Sequence, residues 1–233
     1  MTAEVCLSPI LVDQFDMRGK NVVIIDIFRA TSCMVTGLCN EVDRIYPVAS
    51  VEECLRLGGE GMIMAGERGG QKIEEFDIGN SPFDYLSEQV RSRRVAVTTT
   101  NGTQAINKSE DAYQIIIGAF LNLAATVNYL VRQDLDVILH CAGWKGTINL
   151  EDTLFAGAVL DSLGDRVQLK DDACQLARSL YRDHQDNLLG IAKQSGHAAR
   201  LAKFGITRDI EFCMTQNTYD EVVVMRENYL SKL

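Results

Sequence analysis

A series of short apolar runs, rich in β-branched residues and not cleanly alternating with polar ones, constrains this chain more than any other feature. They are NVVIIDIF (21–28), RIYPVAS (44–50), GMIMAGE (61–67), RVAVTTT (94–100), AYQIIIGAF (112–120), DVILHCAG (136–143) and EVVVM (221–225). A half-exposed strand alternates, whereas a nearly continuous run suits a strand covered on both faces in a largely parallel sheet. Between the runs, at 50–58, 103–109, 121–133 and 150–163, apolar residues recur three and four apart, the spacing of a helix face. Strand alternating with helix predicts an α/β protein, a three-layer α/β/α arrangement around a mostly parallel mixed sheet. From about 171 to 212 the pattern is helical throughout, broken near Gly190 and Gly205. It predicts an α-hairpin or cap packed on the sheet, followed by one final strand.

The 233 residues can bury a sizeable core, as a single domain over 1–233 or as two intimately packed subdomains. Three prolines leave little room for disordered linkers. A formal charge of −9 argues against nucleic acid as a partner, because backbone phosphates need a face rich in Lys and Arg. No run approaches the roughly 18–20 apolar residues of a membrane span, and no secretory leader pattern is visible, so the cytoplasm is the expected location. The seven cysteines are scattered, odd in number and without a C-x-x-C pair, which reads as reduced thiols. The three histidines are not spaced for zinc.

In an open α/β sheet, ligands bind beyond the carboxyl ends of strands, so the polar residues after each run matter most. Asp26 follows NVVII and is expected at a buried strand end, where a carboxylate must be paired or hold a cation. Arg29 is its structural ion-pair partner or a phosphate-binding fork. The third residue of the D-x-D phosphatase motif is Phe28 here, so that nucleophile is absent. AGERGGQKIEEFDIGNSP (65–82) brings Glu67, Arg68 and Lys72 to a Gly-rich turn that is either a tight corner or an anion loop. TTTNGTQA offers hydroxyls at Thr98, Thr99 and Thr100, the Asn101 amide and the Gly102 backbone. Asn-Gly commonly marks a hairpin, but TQAINKSED is a poor strand, so a strand-to-helix turn with free N–H groups is the better reading. CAGWKGTINLEDT adds Lys145, with Glu151 and Asp152 in a helix first turn as dipole partners or as cation ligands. Cys141 lacks the Arg that C-x5-R demands at 147, where Thr147 stands, and neither a P-loop nor a dinucleotide fingerprint occurs.

Taken in order, VVIIDIFRATS, GERGGQKIEEFDIGNSP, TTTNGTQA, GAFLN, CAGWKGTINLEDTLFAGA and SGHAARLAKFGITRDIEFC resemble the 2-phosphosulfolactate phosphatase (ComB-like) family across nearly the whole chain. The resemblance implies a magnesium-dependent acid phosphatase that converts 2-phospho-3-sulfolactate to 3-sulfolactate and phosphate in coenzyme M biosynthesis. It also implies an α/β fold of its own type and a homodimer. Such a substrate carries about three to four negative charges near neutral pH, so an acidic chain must gather cations at one place. Arg29, Arg68, Lys72, Lys145 and Arg200 fall in the matching blocks, as does Asn122 of GAFLN. Magnesium takes one or two carboxylates, and Asp26 with Glu67 or Asp152 are the candidate ligands. Asp26 or Glu151 is the expected base for a positioned water, with Arg29, Arg68 and the Thr98–Gly102 loop stabilising the transferring group. An aspartyl-phosphate at Asp26 is the rival route. His197 is an acid/base candidate if its helix packs over the pocket.

Overall fold

The computed structural model describes every residue, Met1–Leu233. In chain order its elements are β1 (Thr2–Cys6), β2 (Asn21–Ile25), α1 (Ala30–Cys39), β3 (Arg44–Pro47), α2 (Val51–Gly59), β4 (Ile63–Arg68) and β5 (Gln71–Lys72). There follow β6 (Arg94–Thr98), α3 (Gly102–Asn107), β7 (Gln114–Gly118), α4 (Leu123–Gln133), β8 (Val137–Cys141), α5 (Leu150–Leu163) and β9 (Gln168–Leu169). The chain ends with α6 (Asp172–His184), α7 (Leu188–Ala192), α8 (Gly196–Ala202), α9 (Arg208–Cys213), β10 (Val223–Met225) and β11 (Leu230–Lys232).

The architecture is α/β with a large, mostly parallel mixed sheet, as expected. All eleven strands join in the order β5-β4-β6-β3-β11-β10-β7-β2-β8-β1-β9. β7, β2, β8, β1 and β9 run parallel, with Val23 of β2 opposite Ile116 on one side and Leu139 on the other. β3, β6 and β4 form a second parallel block. Between them the β10–β11 hairpin is antiparallel to itself and to both neighbours, so the second block points the opposite way. In a flat sheet the carboxyl ends of the two blocks would lie on opposite edges. Sheets twist by roughly 20–25° per strand, and here the ends of β2, β8, β4 and β6 meet at one cavity.

β2 and β8 are buried at every position, which is why their sequences do not alternate. α4, α5 and α6 pack together over one part of the sheet, and α1 with α3 over another. A Cβ at Gly157 would lie 2.0 Å from the Ala177 carbonyl oxygen, so only glycine lets α6 approach α5 this closely. One apolar cluster of 64 buried residues spans the sheet and most helices, and a smaller one lies under α2. No helix is long and apolar enough to cross a membrane.

The structure departs from the sequence reading in four places. α1 is a helix that the apolar spacing hid: Ala30 to Leu38 are all buried, so it has no polar face to set a period. β1, with Thr2 and Glu4 at its half-buried positions, was too short and polar to stand out. The 171–212 segment is interrupted on either side of Gly190, at Gln185–Asn187 and at 193–195, while Gly190 itself lies inside α7; the break at Gly205, with φ +73°, does occur. The final strand is the hairpin β10–β11.

Candidate active site

Asp26 ends β2. Its backbone carbonyl accepts from Thr31 N–H at 3.0 Å, and its own N–H donates to Thr31 Oγ1 at 3.1 Å, which fixes the turn into α1. The side chain is 5% exposed. Burial pushes its carboxyl up to about 6; His197 opposes the rise, Glu67 adds to it, the Ala30 N–H opposes it and Glu151 adds to it. The ion pair between Asp26 and Arg29 does not form. Arg29, itself buried, donates from Nη1 to Asp209 Oδ2 at 2.6 Å and from Nη2 to the Gly70 carbonyl at 3.1 Å. Asp209, in α9, thus holds the guanidinium at the cavity edge and leaves Asp26 without a cationic partner.

Glu67 ties two loops together. Its Oε1 accepts from Thr100 N–H at 3.0 Å and Thr100 Oγ1 at 2.8 Å, and its Oε2 accepts from Gly70 N–H at 2.7 Å. Arg68 donates to the Glu67 carbonyl and, at 3.3 Å, to Thr98 Oγ1. TTTNGTQA is a strand-to-helix turn, and its Asn-Gly pair makes no hairpin. A Cβ at Gly102 would sit 2.6 Å from the Ala30 Cβ and 3.0 Å from Asp26 Oδ2, so glycine lets α3 start against the site. Thr99 and Thr103 satisfy each other across this turn, and the Thr100 N–H goes to Glu67. The N–H groups of Thr99, Thr100 and Thr103 are thus engaged while those of Asn101, Gly102 and Gln104 have no partner, and α3 spans only Gly102–Asn107.

The wall facing this floor comes from the β8–α5 loop and α8. Arg200 lies over the Trp144 ring at 3.9 Å from its centroid, with Lys145 Nζ at 4.7 Å. Burial lowers the Arg200 pKa, while Glu151, Glu67 and Asp26 raise it. Ser195 caps α8 by accepting from Ala198 N–H, which places His197 and Arg200, three residues apart, on one helix face. His197 Nδ1 is 2.7 Å from Glu151 Oε1.

One cavity of about 270 Å³ gathers Asp26, Arg29, Glu67, Arg68, Thr99, Thr100, Asn101, Lys145, His197 and Arg200. Six other candidates stand outside it. Asp152 spends Oδ1 on the Ile27 N–H at 2.9 Å and Oδ2 on the Gly143 N–H at 3.2 Å, so it clamps two loops behind the site. Its carboxyl is pushed well above the usual range by burial and then by Glu151 and Asp26. Glu151 is fully buried and reaches the cavity only through His197. Asn122 is consumed in the β7–α4 turn, accepting from Ala119 N–H and donating to the Ile117 carbonyl. Lys72 donates to the Phe76 carbonyl, away from this cavity. Thr98 and Gly102 lie behind its lining.

Sequence reasoning missed Asn80, Trp144, Phe28, Leu201 and the Gly69–Gly70 backbone in the lining, and Asp209 behind it. Asn80 is buried with no partner for Oδ1, and its GNSP setting was the available signal. Trp144 is the chain's single tryptophan, next to a lysine already singled out. No group of three or more His, Cys, Asp or Glu side chains is placed to hold a metal ion by itself.

The strand ends of the α/β sheet surround a buried carboxylate with four cationic side chains, an arrangement suited to a small anionic ligand. The chain belongs to the 2-phosphosulpholactate phosphatase family, whose model matches residues 6–228, in agreement with the resemblance read from the motif blocks. It is 39% identical over 212 residues to a "Probable 2-phosphosulfolactate phosphatase" of Caldanaerobacter subterraneus subsp. tengcongensis, covering 89% of this chain and 88% of the relative. A protein of the same name from Thermotoga petrophila is 41% identical over 203 residues, with 87% and 88% covered. Another from Nostoc punctiforme is 33% identical over 228 residues, with 93% of both covered.

Proposed function

We propose that this protein hydrolyses the phosphate monoester of a small, multiply charged 2-hydroxy acid, with 2-phospho-3-sulfolactate as substrate and 3-sulfolactate and phosphate as products. The observation that carries the reading is one buried carboxylate, Asp26, facing a cavity edged by Arg29, Arg68, Lys145 and Arg200. The products correspond to a step of coenzyme M biosynthesis, and the working form is a cytoplasmic homodimer.

Arg29, pinned by Asp209 and Gly70, presents its remaining N–H groups as a fixed fork for the phosphoryl oxygens, and Arg68 supports it. The Thr99–Asn101 loop bounds the phosphoryl site. Lys145 and Arg200, braced on Trp144, meet the carboxylate and sulfonate. The donor set fits magnesium: Asp26 has no cationic partner, Glu67 Oε2 has one donor, and the ion needs one or two carboxylates with waters and a phosphate oxygen. When bound to Asp26 and Glu67, magnesium would neutralise phosphate charge and make a bound water more acidic. Asp26 accepts a hydrogen bond from the attacking water and takes its proton.

Phosphate release from a panel of phosphorylated 2-hydroxy acids, with and without magnesium, tests the reading. Preference for the sulfonated ester and loss of turnover with a chelator are expected. Equal turnover of unsulfonated esters would make this a broader phosphatase, and no release from any ester would leave an anion-binding protein.

A further inference from the structure

The His197–Glu151 pair is placed at the cavity wall for a proton task of its own. Glu151 has no exposed surface, its Oε1 is 2.7 Å from His197 Nδ1, and its Oε2 has no partner. A carboxylate only accepts, so Nδ1 carries the proton in that contact; the longer 3.4 Å approach of Asn149 Nδ2 to the same nitrogen does not compete. This fixes the tautomer and turns Nε2, which no protein group engages, to the cavity that His197 lines. Phe28 meets the imidazole edge-on, with centroids 5.9 Å apart and planes at 71°, and restrains its tilt.

We infer that His197 is the acid that protonates the departing ester oxygen, and that Glu151 is the residue that positions it; the inference rests on the phosphatase reading above. The alkoxide of a 2-hydroxy acid is a poor leaving group and needs a proton as the bond breaks. As the water oxygen bonds to phosphorus, the P–O ester bond breaks and its electron pair goes to the ester oxygen. That oxygen takes the Nε2 proton of His197 and leaves as the alcohol. The water's proton passes to Asp26, which then gives it up to solvent, and solvent returns a proton to His197. Glu151, negatively charged behind Nδ1, stabilises the imidazolium before transfer, and Asp26, Glu67, Arg29, Arg68, Lys145 and Arg200 complete the charged surroundings. Two acid/base groups from different elements divide the reaction between its two ends.

The test compares 2-phospho-3-sulfolactate with its analogue bearing sulfur at the bridging position, whose thiolate departs without a proton. His197→Ala and the bulkier His197→Gln should slow the oxygen ester by about 10²–10⁴-fold, the usual worth of a positioned general acid, and the sulfur ester by under about tenfold. Glu151→Gln keeps an acceptor for Nδ1–H but removes the charge. It should lower kcat on the oxygen ester with KM unchanged and spare the sulfur ester. Equal losses on the two esters in variants that melt like the parent would overturn the assignment. So would a parent enzyme that cleaves the oxygen ester but not the sulfur one. Failure of the parent on both esters would instead overturn the phosphatase reading itself.

Discussion

The end of β2 and the start of α5 each bury an aspartate beside the same cavity, Asp26 at 5% exposure and Asp152 at 0%. Burial is thus not what separates them. Asp152 accepts two backbone N–H groups, one from each loop it joins, and its oxygens are used up in building the site. Asp26 faces the cavity, with acidic neighbours and no ion-pair partner. A buried carboxylate with its donors supplied by backbone serves the fold; one left facing a cavity is available for chemistry.

The largest effect that would break this contrast is at Asp26. Asp26→Asn should abolish turnover by a factor of about 10³ or more, since it removes both the proposed magnesium ligand and the proposed proton acceptor. It should also stabilise the metal-free protein. The folded carboxyl holds its proton to a pH of about 6 against an ordinary 3.8, so ionising it in the fold is a penalty. The penalty is absent below about 3.8, grows as pH rises, and above about 6 amounts to about 3 kcal/mol. Urea unfolding should therefore favour the variant near pH 7.5 and show no difference near pH 3.5. A variant less stable than the parent at pH 7.5 would mean that the Asp26 charge holds the fold together.

Arg29 tests whether the floor can be divided into structural and chemical parts. Arg29→Ala should cost well over tenfold in kcat/KM, and about 3–5 kcal/mol of stability because it leaves the Asp209 carboxylate buried and unpaired. Adding Asp209→Asn should restore most of the stability and none of the activity. Recovery of both together would make the arginine a structural residue only.

Asp152→Ala should show the reverse of Asp26→Asn. It orphans two buried N–H groups at about 1–3 kcal/mol each, while the folded fraction keeps kcat/KM within about tenfold, as steady-state rates well below the melting temperature would report.

How much of this contrast the sequence revealed depends on the range of the interactions involved. The β-branched runs marked the parallel strands because burial on both faces leaves a local imprint. Asp26, Arg29, Glu67 and Arg68 were legible because strand ends are. The partner of Arg29 was not, because Asp209 lies 180 residues away and no local pattern records it. Glu151 and Asp152 were inseparable in sequence. Consecutive helical residues point about 100° apart, so one was bound to face His197 and the other the β2 end, but only the packing of α8 decides which. The reversed second block was hidden for the same reason, since three strand reversals around β10–β11 are set by pairing between distant segments.

The smallest expected effect belongs to the wall. Arg200 is half-buried and spread over Trp144, where a cation–π contact contributes about 0.5–2 kcal/mol and solvent still screens the charge. A cation that meets a non-reacting sulfonate or carboxylate binds ground state and transition state alike, so its loss appears in KM rather than in kcat. Arg200→Ala should accordingly raise KM for 2-phospho-3-sulfolactate about tenfold with kcat within a factor of about three, and Trp144→Leu should raise it less. The same substitution should matter little for 2-phospholactate if Arg200 reads the sulfonate. Equal KM increases for both esters would assign it to the carboxylate or the phosphoryl group, and a fall in kcat would move it from the wall to the chemistry of the floor.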